Sequence, residues 1–193
     1  MACELLSHGL LDDCQSNVGG IKAIYFINSG NLLTQPLANF GQTPDTSDQL
    51  NTITLAPLNT SLYKYELKGA NSFEQTITSS RENGTTFVEQ TLTFTTKGLT
   101  ATQTRQMKLL AFGRPQVIIH TNSNKFLLAG YENGMDVTTG TISNGTAFGD
   151  LVGYTMTLQG MEPIPANHIN VNSPYGATEI KLVTGNTSQI ITT

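Results

Sequence analysis

The residues able to do chemistry are few and poorly grouped. Gly140-Thr-Ile-Ser-Asn-Gly145-Thr146 imitates the glycine spacing of a phosphate-binding loop, yet Thr146 stands where the loop needs a lysine to reach the phosphates. His8, Asp12, Asp13 and Cys14 are all ligand types for a metal, but their spacing matches no recognised site. His120 closes an Ile-Ile segment and reads as a satisfied strand-edge residue. His168 sits in a polar tail, and neither histidine has a visible partner for proton transfer. There is no Gly-x-Ser-x-Gly elbow and no His-Glu-x-x-His. The Asn-x-Ser/Thr triplets at Asn59, Asn83, Asn144 and Asn186 are what a chain so rich in these residues produces by accident. The expectation is therefore a protein that is not an enzyme, with no catalytic residue, cofactor or metal.

The composition points to a different use of the surface. Of 193 residues, 29 are Thr, 16 Asn, 12 Ser and 11 Gln, while only 12% are charged, about half the usual share. Neutral hydrogen-bonding groups led by β-branched threonine suit strands and turns better than helices. A net charge of -4 argues against gripping nucleic acid or anionic lipid through a basic surface. No apolar run is long enough for a spanning helix, and Met-Ala-Cys-Glu does not read as a signal peptide, so the expected compartment is a cytoplasm, where reduced thiols are the default although Cys3 and Cys14 could close a small loop.

The elements that would position any site follow from periodicity and turn residues. Residues 3–20 form an irregular arm ending in Gly19-Gly20, and 21–28 (Ile-Lys-Ala-Ile-Tyr-Phe-Ile-Asn) is the first strand. A loop-rich stretch occupies 29–48, followed by strands at 49–55 and 61–67. A long hairpin joins 72–79 to 86–96 through Asn83-Gly84, with Val88, Gln90, Leu92 and Phe94 on one face and Phe87, Glu89, Thr91, Thr93 and Thr95 on the other. The single helix spans 101–112, with Thr100 as N-cap, Met107, Leu110 and Ala111 on one stripe, and Gly113 with Pro115 as the stop. A second hairpin covers 116–121 and 125–131, a turn-rich stretch fills 132–150, and 154–161 alternates as a strand. The tail after Pro163 reads as an arm with short apolar pieces at 180–183 and 190–191. The fold class expected is mainly β: a β-sandwich or barrel with one flanking α-helix, a long β-hairpin and extended arms. Its divisions are an N-terminal arm (1–20), a β domain (21–165) and a C-terminal extension (166–193).

Between Thr96 and Pro165 the chain resembles bacteriophage tail tube proteins. The likeness is carried by the helix with Arg105-Gln-Met-Lys-Leu-Leu-Ala-Phe-Gly113-Arg114, by Lys125-Phe-Leu-Leu-Ala-Gly130, and by Glu132-Asn-Gly-Met-Asp-Val-Thr-Thr-Gly-Thr running to Ala147-Phe-Gly-Asp-Leu-Val-Gly-Tyr154. The opening, Met1-Ala-Cys3 to Cys14 and Val18-Gly-Gly-Ile-Lys-Ala-Ile-Tyr25, is similar to that of phage structural proteins of this kind. The resemblance implies a virion protein assembled in a host bacterial cytoplasm. Six copies would form a ring, and rings would stack into a tube that meets neighbouring tail proteins and passes DNA without sequence-specific binding and without a membrane. It implies a lumen lined from the long hairpin by Glu74, Thr76, Thr78, Glu82, Glu89, Thr91 and Thr93, a neutral to acidic surface that does not hold phosphates. Ring-to-ring contacts are expected from 3–19, 32–48 and the tail. The alternatives are another virion component (tail terminator, head-tail connector or capsid decoration protein) and a carbohydrate-binding, adhesive β-domain. The last lacks the tryptophan that sugar-stacking sites usually use.

Overall fold

In the computed structural model, which describes residues 18–30, 32–33, 49–50, 54–55, 62–169 and 190–191, the protein is mainly β with one helix, as expected. The apolar run near the start becomes β1 (Ile21–Ile27), whose neighbours are β5 (Leu62–Glu66) on one side and β8 (Gln116–Thr121) on the other, both antiparallel. A run with almost no polar interruption is what a strand buried on both faces needs. Ile24 and Phe26 enter one apolar cluster, and Ala23, Tyr25 and Ile27 enter another on the opposite face.

The sheet extends from β8 to β9 (Phe126–Ala129), β12 (Asn167–Ile169) and β3 (Gln49–Leu50), and from β5 to β13 (Ile190–Ile191). Its two outermost pairs, β12 with β3 and β13 with β5, are parallel. β12 and β13 belong by sequence to the C-terminal extension, yet both pair within this sheet. The strand expected over 49–55 is not continuous: β3 joins the large sheet, while β4 (Thr54–Leu55) pairs with β2 (Leu32–Leu33).

A second sheet has the order β10, β11, β7, β6, built from β6 (Ser72–Ser80), β7 (Thr85–Lys97), β10 (Asp136–Ser143) and β11 (Gly153–Glu162), all antiparallel. β10 falls in the stretch expected to be turns. Its run of β-branched residues, Val137 to Thr139 with Thr141 and Ile142, favours a strand, and Gly140 leaves room for Met156, whose Sδ lies 2.7 Å from where a Cβ would be. Leu92 and Phe94 from β7 and Tyr154, Met156 and Leu158 from β11 face β1 and β8, forming the main core between the sheets.

The helix α1 (Ala101–Phe112) closes one flank with Met107 and Leu110. Thr100 caps it reciprocally with Gln103: its hydroxyl accepts the Gln103 N–H at 3.2 Å, and the Gln103 side chain accepts the Thr100 N–H at 3.1 Å. Ala111, expected on the buried stripe, is exposed, because the contact is made by one residue per turn. His120 is also not an edge residue. β8 lies between β1 and β9, and the ring is buried against Phe126 at 4.1 Å and 15°.

Candidate functional site

From Phe87 to Thr95 of β7 burial alternates, with Val88, Gln90, Leu92 and Phe94 buried and Glu89, Thr91 and Thr93 half-exposed. Residues opposite one another in an antiparallel pair share a face. The register sets Glu74 beside Thr91, Thr76 beside Glu89, and Thr78 beside Phe87. Six of the seven proposed lining residues (Glu74, Thr76, Thr78, Glu89, Thr91 and Thr93) therefore lie on one face, and Glu82 sits in the turn beyond it.

The register of β11 and β10 enlarges this face beyond the hairpin. Thr157 lies opposite Thr93, Thr155 opposite Thr95, and Gln159 opposite Thr91, while Thr139 and Thr141 follow on β10. Cross-strand hydroxyl contacts tie it together: Thr93 to Thr157 at 3.3 Å and Thr95 to Thr155 at 3.2 Å. The Gln159 amide donates to Glu89 at 3.3 Å. The alternation of 154–161 was visible in the sequence, but its register against β7 was not, so these residues were missed.

Among the described residues, both outer strands of this sheet, β6 and β10, pair on one side only. Strands of nine and eight residues expose long rows of backbone donors and acceptors. Neither carries a lysine or a proline, the usual guards against edge-to-edge pairing, and each exposes an isoleucine, Ile77 or Ile142.

The groups that suggested chemistry are employed locally. Around the phosphate-loop look-alike, the Thr146 N–H and hydroxyl and the Ala147 N–H all donate to one oxygen of Asp150, at 2.8, 2.9 and 2.8 Å. The Ala147 and Thr146 donors hold the Asp150 carboxyl below its ordinary pKa, so a carboxylate of the chain occupies the place an anion would take. Burial holds His120 below its ordinary pKa and favours the neutral ring, which meets Asn124 at 3.3 Å. His168 is exposed on β12, and no group of three metal-ligating side chains forms among the described residues. His8, Asp12, Asp13, Cys3 and Cys14 lie outside them, as do 180–183.

One buried carboxylate fastens the crossing between the sheets. Glu162, at the end of β11, accepts from the Glu132 N–H at 3.1 Å and the Asn133 N–H at 2.9 Å. Burial raises its pKa above the ordinary value, opposed by those two N–H groups. The native state thus binds its proton more tightly than the unfolded chain. Its contribution to stability is complete below the unfolded pKa and lost as pH rises through the raised folded value. Denaturant titrations from pH 4 to pH 7 should show the wild type losing stability relative to Glu162→Gln across that window. A constant difference between the two would refute the assignment.

No family model, curated protein or solved structure matches this chain.

Proposed function

We propose that the protein is a structural subunit of a bacteriophage tail tube, assembling as rings whose four-stranded sheets join edge to edge around a conduit for DNA. The observation that carries this reading is the pair of edges on one sheet, β6 and β10, that carry neither lysine nor proline and are open among the described residues. In the order β10, β11, β7, β6, strand direction alternates throughout. A neighbour related by rotation about an axis near the strand direction brings its β10 antiparallel to β6. Such head-to-tail contacts close into a ring, and six copies give a barrel of about 24 strands.

The core-facing side of the sheet is already covered by the larger sheet, which leaves the threonine face for the lumen. That face is rich in hydroxyls and carries Glu74 and Glu89, so it has little to hold phosphates. Electron microscopy of the purified protein at rising concentration tests the reading. Rings or tubes of uniform bore are expected, and a protein that stays monomeric throughout would overturn it.

Within particles, Glu89→Lys reverses a charge on the lining face without touching the edges. Ejection of DNA should slow several-fold, more so at low ionic strength, while tube assembly is unchanged. Ejection kinetics equal to wild type would remove Glu89 from the lumen.

A further inference from the structure

Asn-Gly occurs three times in the chain, at Asn83, Asn133 and Asn144. The pair has a chemistry of its own, because asparagine is among the chemically labile residues. The glycine nitrogen can reach the carbonyl carbon of the asparagine side chain, and with no Cβ on glycine nothing hinders the approach. Once that N–H loses its proton, the nitrogen attacks Cγ and closes a succinimide ring. The fold controls whether this happens: an acceptor can hold the N–H, a partner can hold the side-chain amide, and packing can stop the backbone from turning. Sequence alone does not rank the three sites.

At Asn133 every group is engaged. Its side-chain amide donates to the Met161 carbonyl at 2.8 Å, its main-chain N–H donates to Glu162 at 2.9 Å, and the Gly134 N–H donates to the Gly130 carbonyl at 3.2 Å. Gly134 is buried, and a Cβ there would lie 2.7 Å from the Arg114 carbonyl oxygen, so the backbone has no space to rotate. At Asn144 the Gly145 N–H donates to Ser143 Oγ at 3.3 Å, and the Asp150 Cβ lies 2.8 Å from where a Cβ on Gly145 would be. Asn83 differs. It stands in the turn between β6 and β7 with Arg81, Glu82 and Gly84, all exposed. Its main-chain N–H donates to Ser80 Oγ at 3.3 Å, but among the described residues neither the Asn83 side-chain amide nor the Gly84 N–H has a hydrogen-bond partner. Gly84 has φ +62°, with nothing within 4 Å of where a Cβ would lie.

We propose that Asn83-Gly84 is a self-modification site, at which the Gly84 nitrogen displaces ammonia from Asn83 Cγ and water then opens the succinimide to aspartate or isoaspartate. In the first step the Gly84 N–H proton goes to solvent, a Cγ–N bond forms, the Cγ–Nδ2 bond breaks, and the leaving nitrogen takes up a proton to depart as ammonia. In the second, water cleaves one of the two imide bonds. Cleavage at Cγ restores the ordinary main chain with aspartate, whereas cleavage at the Asn83 main-chain carbonyl routes the chain through Cγ as isoaspartate. No oxidant or reductant is needed. Either product sets a second carboxylate beside Glu82 in a turn whose charges, Arg81 and Glu82, were balanced. Isoaspartate also lengthens the turn by a methylene group. The hairpin tip therefore gains negative charge as the protein ages. The inference stands independently of the tail tube reading, since it concerns one copy.

Incubation of the folded full-length chain at pH 8, followed by tryptic digestion and mass spectrometry, tests it. The peptide from Glu82 to Lys97 holds Asn83 as its sole asparagine. It should gain the mass difference between amide and acid several-fold faster than Asn133 or Asn144, which share the peptide from Phe126 to Lys181 and are separated by fragmentation. Isoaspartate should be among the products at position 83. In the urea-unfolded chain the three sites should convert at similar rates, because the Asn-Gly pair is then all they have in common with one another. Conversion of Asn83 should slow several-fold from pH 8 to pH 6, since the attacking nitrogen must lose its proton. Four results would each overturn the proposal: Asn133 or Asn144 keeping pace with Asn83 in the folded protein, the same ranking in the unfolded chain, Asn83 staying intact while the unfolded chain converts, or a rate independent of pH.

Discussion

At concentrations where the wild-type protein forms rings, the Ile77→Lys variant is expected to remain monomeric. Ile77 lies on the open edge strand β6 and is 65% exposed, so its loss removes little from the core. Folding stability should change by no more than about 0.5 kcal/mol. Lysine on an edge brings an ammonium that must be desolvated before a neighbouring strand can pair, which is how natural sheets prevent such contacts. If each lost contact costs about 3 kcal/mol, the concentration needed for assembly rises roughly 100-fold.

Ile142→Lys, on the other open edge, β10, should act in the same way, since Ile142 is 67% exposed. Mixing the two variants separates a head-to-tail contact from a symmetric one. Each retains one good edge, so the mixture should yield dimers and nothing larger, as measured by analytical ultracentrifugation. Rings from either variant alone would show that these edges are not the interface. The outcome bears on the assembly geometry directly, because a contact using the same patch on both partners would leave one variant free to dimerise with itself.

A large loss of stability is expected from Gly134→Ala. Gly134 has φ +74°, where an L side chain costs about 1–2 kcal/mol, and its added Cβ would lie 2.7 Å from the carbonyl oxygen of Arg114. The neighbouring Met135 N–H is bound to the Pro115 carbonyl at 2.9 Å, so the turn cannot swing away without breaking the contact between β8 and the path into β10. A combined cost of roughly 3 kcal/mol should lower the midpoint of thermal unfolding by about 6–12 °C. Gly149→Ala is the control, with nothing within 4 Å of the new methyl group and no positive φ. Equal midpoints for the two variants would remove the special role of position 134.

Much of the architecture was legible because it is local. Thr100, Gln103 and Gly113 bound the helix through capping chemistry, which depends on residues within a turn of each other. Asn83-Gly84 marks the hairpin turn, where Gly84 takes φ +62°. The two faces of β7 follow from period-two alternation alone. β10 was not legible, because Thr-Thr-Gly-Thr carries turn and strand signals at once and only pairing with β11 chooses between them. His120 was misplaced for a related reason: a strand's position within a sheet is set by partners distant in sequence.

By itself, the sequence determined that this is a mainly β protein, with one helix at 101–112 and a threonine-rich side to its long hairpin, since residue spacing sets which side chains share a face. Only the tertiary structure decided that the hairpin belongs to a four-stranded sheet, with both edges open among the described residues, and that the threonine face continues across β11 and β10. The same holds for the three Asn-Gly pairs, which are alike in sequence and differ in what holds them. Strand order and register depend on which apolar faces bury together, and that is a property of the packed chain that no local pattern encodes.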